Sequence, residues 1–437
     1  MFNPPSPHEV RILSRRFGIE NSRSIDVFLA NDGYAGFKRA LEIGADAVID
    51  EIKKSALRGR GGAGFPTGMK WSFIPRTSPK PKYIVCNADE SEPGTCKDRL
   101  LIQNDPHSLI EGMMIAGYTM GSNLGYIYVR GEYRYLILIL EQALAEARAR
   151  GYIGKNIQGT GWDFDLFVHT GAGAYECGEE SALLNSLEGK RGTPRLKPPF
   201  PATHGLWQSP TLLNNVETFC AVSHIVRDGG EAFAKHGPEK NGGTRLMCLS
   251  GHVERPGVYE LPLTTTLPFL INEVGGGVRG GKKLKAVQPG GSSSPILTAD
   301  EVNVGLDFDS LAKAGTMAGS GGIVVLDENA DMVSYALRVI RFYQHESCGW
   351  CIPCREGTTW LKKILERLDR GEGSTKDVDL VGELAKNMFG RTFCALGDAA
   401  AWPTGSIVKK FRAEFEEKLA RTTVNVPTPD QLVGISF

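Results

Sequence analysis

Apolar residues in the first half of the chain alternate between two spacings, one typical of strands and one typical of amphipathic helices. Short apolar runs bounded by turn residues indicate strands, whereas apolar residues three or four positions apart indicate helices. The predicted strands are 83–87, 125–130 and 164–170, and the predicted helices are 34–41, 45–57, 108–120, 135–149 and 179–187. This alternation favours a mostly parallel α/β sheet that reaches about residue 235.

The pattern changes near Gly242 and again near Asp331. Short segments broken by glycine and proline, with one helix at 267–274, indicate a small α+β module. Helical periodicity then predicts a bundle with helices at 333–345, 358–370, 378–387 and 399–420, followed by an extended tail after Thr422. We therefore expect an N-terminal helical segment with a glycine-rich loop at 1–75, an α/β domain at 76–240, the module at 241–330 and the bundle at 331–437.

Three of the nine cysteines lie within seven residues of the bundle sequence, at Cys348, Cys351 and Cys354. Bacterial iron–sulfur runs use this spacing, with a fourth ligand from elsewhere. Zinc sites prefer two separate Cys-x2-Cys pairs, and a redox disulfide would leave the third thiol unexplained. The spacing favours an iron–sulfur cluster over these two alternatives.

Charge and hydropathy argue against nucleic-acid binding and against insertion into a membrane. The chain carries 50 basic and 50 acidic residues, which argues against a nucleic-acid-binding polyelectrolyte. The most apolar stretch, 135–140, is far too short to span a bilayer, and the N-terminus has no apolar targeting segment. We expect a soluble chain without direct membrane insertion, and a reducing compartment suits its cysteines better than a disulfide framework does.

The first glycine-rich loop matches the dinucleotide-binding fingerprint G-x-G-x-x-G by letter only. A helix precedes it and Phe65-Pro66 follows, whereas the fingerprint needs a strand before it and a helix after it. Exposed backbone amides and nearby cations suit a phosphate, and aromatic faces suit a planar ring, although a surface turn is the alternative. The candidate residues are Arg58, Gly59, Gly61, Gly62, Gly64, Phe65, Lys70 and Phe73.

The second glycine-rich loop, with Gly171, Gly173 and Gly178, lies between a strand and a helix, where α/β sheets bind nucleotides. Glu179 and Glu180 would repel a phosphate there, so they favour recognition of a carboxamide such as nicotinamide. Complementing the helix dipole is their structural alternative.

A third cluster follows strand 83–87 and contains Asn87, Asp89, Glu90 and Glu92. Such groups can bind a divalent cation, cap a helix or hold the edge of a heteroaromatic ring, and the ring edge suits a flavin. Downstream, the stiff segment 197–201 offers an aromatic lid at Phe200. Side-chain amides at 214–215 open a predicted helix.

With these motifs in order, the chain resembles the NADH-binding flavoprotein subunit of respiratory complex I, from about residue 35 to 415. The matching segments are Arg58-Gly-Arg-Gly-Gly-Ala-Gly-Phe-Pro-Thr-Gly, Asn87-Ala-Asp-Glu-Ser-Glu-Pro-Gly-Thr, Gly171-Ala-Gly-Ala-Tyr-Glu-Cys-Gly-Glu-Glu, Pro194-Arg-Leu-Lys-Pro-Pro-Phe-Pro, Glu346-Ser-Cys-Gly-Trp-Cys-Ile-Pro-Cys-Arg-Glu-Gly and Cys394-Ala-Leu-Gly-Asp. The resemblance implies a Rossmann-like α/β domain for FMN and NADH, a ubiquitin-like (β-grasp) module and a helical bundle with a [4Fe-4S] cluster. It implies Cys394 as the fourth cluster ligand.

The resemblance also implies roles for individual residues. The flavin would be held by Gly61, Lys70, Asn87, Asp89, Glu90, Tyr175, Gly178, Asn214, Asn215 and Thr218. Phe65, Phe73 and Phe200 would enclose the adenine of NADH, with Glu92, Glu180 and Lys197 around the rest of the dinucleotide. We expect Glu92 and Glu180 to orient the nicotinamide, and Arg58 and Lys70 to face phosphate or reduced flavin.

The implied activity is oxidation of NADH by hydride transfer to FMN, with electrons passed singly to the cluster and on towards quinone. The implied partners are a small thioredoxin-like [2Fe-2S] subunit and a large multi-cluster iron–sulfur subunit. The implied location is a peripheral arm at the cytoplasmic face of the bacterial inner membrane. The alternative is the diaphorase subunit of a soluble NAD-linked hydrogenase or formate dehydrogenase, which often adds further cysteine clusters.

Overall fold

The structure, a computed structural model, describes residues 6–423. Its first sheet contains β1 (Tyr83–Ala88), β2 (Leu124–Val129), β3 (Asp165–Thr170) and β4 (Thr211–Asn215). The strand order is β3-β2-β1-β4, and every neighbouring pair is parallel. The predicted parallel sheet is confirmed. Strand β4 was not predicted, because it is short and runs directly into the next helix.

Helices cover this sheet. They are α1 (Ile25–Ala30), α2 (Ala35–Lys54), α3 (Thr67–Ser72), α4 (Lys97–Asn104), α5 (Pro106–Met120), α6 (Arg134–Ala149), α7 (Glu180–Leu187), α8 (Pro201–His204), α9 (Val216–Asp228) and α10 (Gly230–Ala234). Gly44, with φ +81°, breaks α2 at the junction between the two helices predicted there. Phe37 and Val48 of α2 lie in the same core as Ile110 of α5 and Val222 of α9, so the N-terminal helices share the core of the α/β layer.

The second sheet is mixed. It contains β5 (Thr244–Gly251), β6 (Gly257–Pro262), β7 (Leu284–Gln288), β8 (Leu297–Thr298) and β9 (Gly322–Asp327), in the order β6-β5-β9-β7-β8. Helix α11 (Leu267–Phe269) continues into a π-helical turn, Leu270–Val274, and α12 (Phe308–Lys313) precedes β9. The predicted α+β character of this region is confirmed.

The bundle consists of α13 (Met332–Glu346), α14 (Ile352–Asp369), α15 (Thr375–Met388), α16 (Ala395–Lys410) and α17 (Arg412–Thr423). The single helix predicted at 399–420 was wrong, since Phe411 ends α16 with a non-helical backbone. Helix α14 begins at Ile352 rather than Thr358, so Cys354 lies in its first turn. The predicted extended tail lies outside the described residues.

Within residues 6–423, no helix is both long and apolar enough to cross a membrane.

Candidate functional site

A cavity of about 420 Å³ opens where the parallel strands of the first sheet end, and we call it the sheet-edge cavity. Its size falls within the range of small-molecule and cofactor sites. The predicted site residues that line it are Gly61, Gly62, Asn87, Asp89, Glu90, Glu92, Tyr175, Gly178, Glu179 and Asn215. They follow α2, β1, β3 and β4, so the carboxyl edge of the sheet brings together three motifs that are far apart in sequence.

The first glycine-rich loop is closed at its base and open at its tip. The Gly59 N–H donates to the Phe65 carbonyl (2.9 Å), and Arg58 Nε donates to the Gly64 carbonyl (2.6 Å). Gly61 and Gly62 at the tip therefore reach the cavity. A Cβ at Gly61 would lie 3.2 Å from Cβ of Asn215, which leaves little room for a side chain.

Arg58, which begins this loop, contacts residues of α12. Its guanidinium donates to Asp309 Oδ1 (2.7 Å) and lies over the ring of Phe308, 4.8 Å from the centroid. It thus braces the loop against α12. The expectation that Arg58 faces phosphate or reduced flavin stays a prediction, and a ligand would have to share Arg58 with Asp309.

Two members of the acidic turn after β1 are used for structure. Glu90 accepts hydrogen bonds from the backbone N–H groups of Asp98 (2.7 Å) and Arg99 (3.2 Å), so it caps α4. Asn87 donates to the Gly178 carbonyl (2.8 Å), which joins the acidic turn to the second glycine-rich loop in the cavity wall. Burial raises the pKa of Glu90 to about 8.

Asp89 is the residue of this turn whose carboxyl group has an oxygen without a hydrogen-bond partner. Its Oδ2 accepts from Ser91 Oγ (3.1 Å), whereas its buried Oδ1 has no hydrogen-bond partner. Burial raises the pKa of Asp89 to about 7. A ligand with a ring N–H would supply the missing donor and favour the carboxylate.

Glu92 connects the acidic turn to the second glycine-rich loop and to the region of the second sheet. It accepts from the Tyr175 hydroxyl (2.6 Å), the Ser293 N–H (2.8 Å) and Ser292 Oγ (3.0 Å). Burial raises its pKa, although these hydrogen bonds act in the opposite direction. Glu92 is therefore held rigidly in the wall of the cavity.

Glu179 and Glu180 have different surroundings. Glu179 Oε2 accepts from the N–H groups of Ser181 and Ala182 (both 2.9 Å), so it is the N-cap of α7. Glu180 forms ion pairs with Lys70 (3.3 Å) and Lys197 (3.0 Å). Burial alone would raise the pKa of Glu180, but the two lysines lower it, so this carboxylate stays ionised. The Lys70 amine pairs with the Glu180 carboxylate, and its role towards phosphate or flavin stays a prediction.

The three predicted aromatic residues are all exposed. Phe65 and Phe73 form a tilted pair with centroids 6.1 Å apart and are 45% and 54% exposed. Phe200, 57% exposed, directly precedes α8. Exposed aromatic faces of this kind are suited to stacking on a planar base.

Other predicted residues form hydrogen bonds or close contacts within the protein. Asn214 accepts from Trp71 Nε1 (3.0 Å), and Thr218 Oγ1 accepts from the Arg60 N–H (2.9 Å). Each of these oxygens thus accepts a hydrogen bond from the protein, and the direct contact of Asn214 and Thr218 with flavin stays a prediction. A Cβ at Gly171 would lie 2.8 Å from the Tyr128 hydroxyl, and Gly173 has φ +84°, so both glycines are required by the turn itself.

Sequence reasoning missed a buried charge cluster under the cavity. Lys97, 1% exposed, pairs with Asp98 (2.8 Å) and Glu217 (2.9 Å), and Asn215 donates to Asp98 (2.6 Å). Arg60 is also fully buried, and burial lowers its pKa to about 10. The sequence shows Lys97 and Asp98 directly after the acidic turn, but it does not show that Lys97 pairs with Glu217 of α9.

The four predicted cluster ligands line one small cavity at the end of the bundle, which we call the cysteine cavity. Cys348, Cys351, Cys354 and Cys394 meet there, and the rings of Trp350 and Phe393, which also line it, lie 4.5 Å apart between centroids. Burial raises the pKa of the Cys348 thiol and brings that of Cys354 to about 11. Iron replaces the proton on ligation, so these thiols need a metal to become thiolates.

The donor set fits a cluster better than one ion. In the described part of the chain, no three His, Cys, Asp or Glu side chains are placed to hold a single metal ion. Ligands of a four-iron cluster bind different iron atoms and so stand farther apart than the ligands of one ion. Four cysteines around one cavity therefore fit an iron–sulfur cluster.

The two cavities share a wall. Glu176 and Leu396 line both of them. Glu176 is 3% exposed, its Oε1 has no hydrogen-bond partner, and it contacts Cys394. Bundle residues including Phe389 and Trp402 also line the sheet-edge cavity, so the bundle closes that cavity as well as holding the cysteines.

The chain is similar to known proteins along almost its whole length. Family models match as the Nuo51 FMN-binding domain (residues 52–224), the SLBB domain (245–325) and the NADH-ubiquinone oxidoreductase-F iron–sulfur binding region (334–418). The F subunit 2 of the NADH-quinone oxidoreductase of Rhizobium meliloti is 52% identical over 92% of this chain and 96% of its own length. The F subunit of the NADH-quinone oxidoreductase of Streptomyces coelicolor is 49% identical over 93% and 91%.

A solved structure gives the same architecture. A chain of an NAD+-reducing [NiFe]-hydrogenase in the air-oxidized state is 34% identical, with a TM-score of 0.81 over 95% of this chain and 68% of that one. The predicted order of α/β domain, β-grasp-like module and helical iron–sulfur region is confirmed by these matches.

Proposed function

This chain belongs to the family of NADH-quinone oxidoreductase F subunits, and from that premise we propose that its two adjacent cavities hold FMN and a [4Fe-4S] cluster for the oxidation of NADH. Bound FMN would supply two-electron hydride chemistry with NADH and one-electron chemistry with an iron–sulfur cluster. The observation that carries the proposal is the wall shared by the two cavities, formed by Glu176 and Leu396.

The chain's own residues supply placement and electrostatics. The tip of the first glycine-rich loop leaves room for a ring, and the spare oxygen of Asp89 accepts a ring N–H. Glu92 is fixed by three donors and so can present a defined carboxylate edge to the nicotinamide side of the substrate. No side chain has to act as a nucleophile.

The outer part of the site is assigned to the dinucleotide. Phe65, Phe73 and Phe200 offer exposed faces for the adenine. Lys197 and Glu180 form an ion pair at 3.0 Å in this region. Each of the two charged groups could contact the ligand instead of the other. Binding of NADH would break part of that pairing, which makes recognition depend on both charges.

We further assign the chain to a multisubunit enzyme, in accord with the names of its relatives. The partners proposed are a small thioredoxin-like [2Fe-2S] subunit and a large multi-cluster iron–sulfur subunit that accepts the electrons. The location proposed is a peripheral arm at the cytoplasmic face of the bacterial inner membrane. Copurification of tagged chain with cofactor analysis of each partner tests these assignments.

Anaerobic titration of the purified holoprotein with NADH tests the central proposal. We expect loss of flavin absorption and the appearance of a reduced [4Fe-4S] signal in electron paramagnetic resonance. A preparation that contains flavin and iron but shows neither change with NADH would contradict it.

The hydrogenase chain supports a second candidate, the diaphorase subunit of a soluble NAD-linked enzyme. Its identity of 34% is well below the 52% and 49% of the two quinone oxidoreductase relatives. Copurification with a hydrogenase or formate dehydrogenase subunit would favour this second candidate.

A further inference from the structure

Cys96 and Cys248 are brought together from two different parts of the fold beside the sheet-edge cavity. Cys96 is the residue before α4, and Cys248 lies in β5. The Cys96 N–H donates to Cys248 Sγ (3.3 Å), and the two thiols also contact each other. Thr95 and Lys97, the neighbours of Cys96, line the cavity.

We propose that Cys96 and Cys248 form a peroxide-sensitive thiol pair that closes to a disulfide between the α/β domain and the second sheet. The two cysteines play different parts. Cys96 is partly exposed and so is within reach of a small oxidant, whereas Cys248 is only 2% exposed.

The surroundings of Cys96 favour the thiolate. It is the residue at the N-terminus of α4, where the helix dipole stabilises negative charge. The hydrogen bond from the Cys248 thiol, together with Arg99, lowers the pKa of Cys96 to about 6. The same contact and burial raise the pKa of Cys248, which favours the thiol form there.

The chemistry balances with hydrogen peroxide as the oxidant. The Cys96 thiolate attacks one peroxide oxygen, the O–O bond breaks, and a sulfenic acid forms at Cys96. The hydroxide that leaves takes up the proton that Cys96 released to solvent on ionisation, and it becomes the first water. The Cys248 sulfur then attacks the Cys96 sulfur, the S–O bond breaks, and the Cys248 proton leaves with the hydroxyl group as water. Two thiols lose two electrons in total, and one peroxide becomes two waters.

The other cysteines provide an internal comparison. Cys86 and Cys220 are fully buried, and burial raises the pKa of both well above the ordinary value. Neither should react with a short exposure to peroxide.

The test uses the holoprotein, treated with equimolar hydrogen peroxide, then denatured, alkylated and digested without reductant. Mass spectrometry should find the peptides of Cys96 and Cys248 joined, with release by dithiothreitol, while Cys86 and Cys220 are alkylated. In Cys248→Ser, a sulfenic acid at Cys96 should be captured by dimedone; in Cys96→Ser, the Cys248 peptide should be alkylated. The proposal is overturned if both wild-type cysteines remain alkylated, or if Cys96 is oxidised without the cross-link.

Discussion

Asp89 should make the flavin-free chain less stable as the pH rises, and Asp89→Asn should remove that loss. The carboxyl is 8% exposed, and its Oδ1 has no partner. Its pKa is raised to about 7, above the ordinary value, so the folded chain holds this proton more tightly than the unfolded chain does. Asp89 therefore costs no stability below about pH 4, costs progressively more up to about pH 7, and reaches its full cost above that.

The size of this effect follows from the shift. A change in pKa from 3.8 to about 7 corresponds to about 4 kcal/mol of unfolding free energy at alkaline pH. Asparagine cannot ionise and retains an oxygen for the Ser91 hydroxyl that now donates to Oδ2 at 3.1 Å. We therefore expect the stability advantage of Asp89→Asn over wild type to grow with pH, by up to about 4 kcal/mol in all, with most of it present by about pH 8.

Urea unfolding of flavin-free wild type and variant at about pH 4 and about pH 8 measures this difference. Other buried carboxyls also titrate, so the quantity to compare is the difference between variant and wild type. Asp300→Asn makes the same exchange at an exposed position and supplies the matched control. If Asp89→Asn and wild type lose stability in parallel between the two pH values, the buried, unpartnered carboxyl is not the cause.

The same substitution should weaken the holoprotein's hold on flavin. A hydrogen bond to a charged acceptor contributes about 1 to 2 kcal/mol more than a neutral one, so FMN should dissociate about tenfold more readily from Asp89→Asn. Fluorescence of released FMN during dilution measures this constant. An unchanged constant would mean that Oδ1 does not meet the ring.

Three further substitutions test separate parts of the site. Cys351→Ala should abolish the [4Fe-4S] signal in electron paramagnetic resonance, and an unchanged reduced spectrum would remove Cys351 from the ligand set. Phe200→Ala should raise the dissociation constant of NADH by roughly fivefold while flavin is retained, since an aromatic stacking contact contributes about 1 kcal/mol; equal loss of both would indicate a packing role. Gly61→Val should block flavin binding, because even a Cβ there would lie 3.2 Å from Asn215 Cβ, and wild-type dehydrogenase activity would exclude the loop from the site.

The sequence was most informative where the signal is local. The spacing of Cys348, Cys351 and Cys354 predicted a shared metal site, and these thiols do line one cavity. The parallel sheet followed from alternating strands and helices, and the break in α2 falls at Gly44, between the two predicted helices. Each of these depends on neighbours within a few residues, which the sequence displays directly.

The sequence was less informative about which hydrogen-bond partners within the protein a polar side chain has. Asn214 and Thr218 belong to a segment at the cavity, yet their side chains bond to Trp71 and to the Arg60 backbone. Residue type does not reveal this difference, because an amide or hydroxyl can serve a ligand or the protein equally well. The direction of each side chain is set by β4 and the start of α9, whose packing involves residues far away in the chain.

The sequence did not predict that the bundle lines the sheet-edge cavity, for the same reason. Tyr175 illustrates how the bundle is connected to that cavity. The Tyr175 N–H donates to Glu346 Oε2 (3.0 Å) at the end of α13, and its ring contacts Phe342. The Tyr175 hydroxyl donates to Glu92 in the other wall of the cavity. One residue thus ties the loop that borders the sheet-edge cavity to the helix that leads into the cysteine run. The contacts of Tyr175 that shape the sheet-edge cavity therefore also fix the loop against α13, the helix that ends just before the cysteine run.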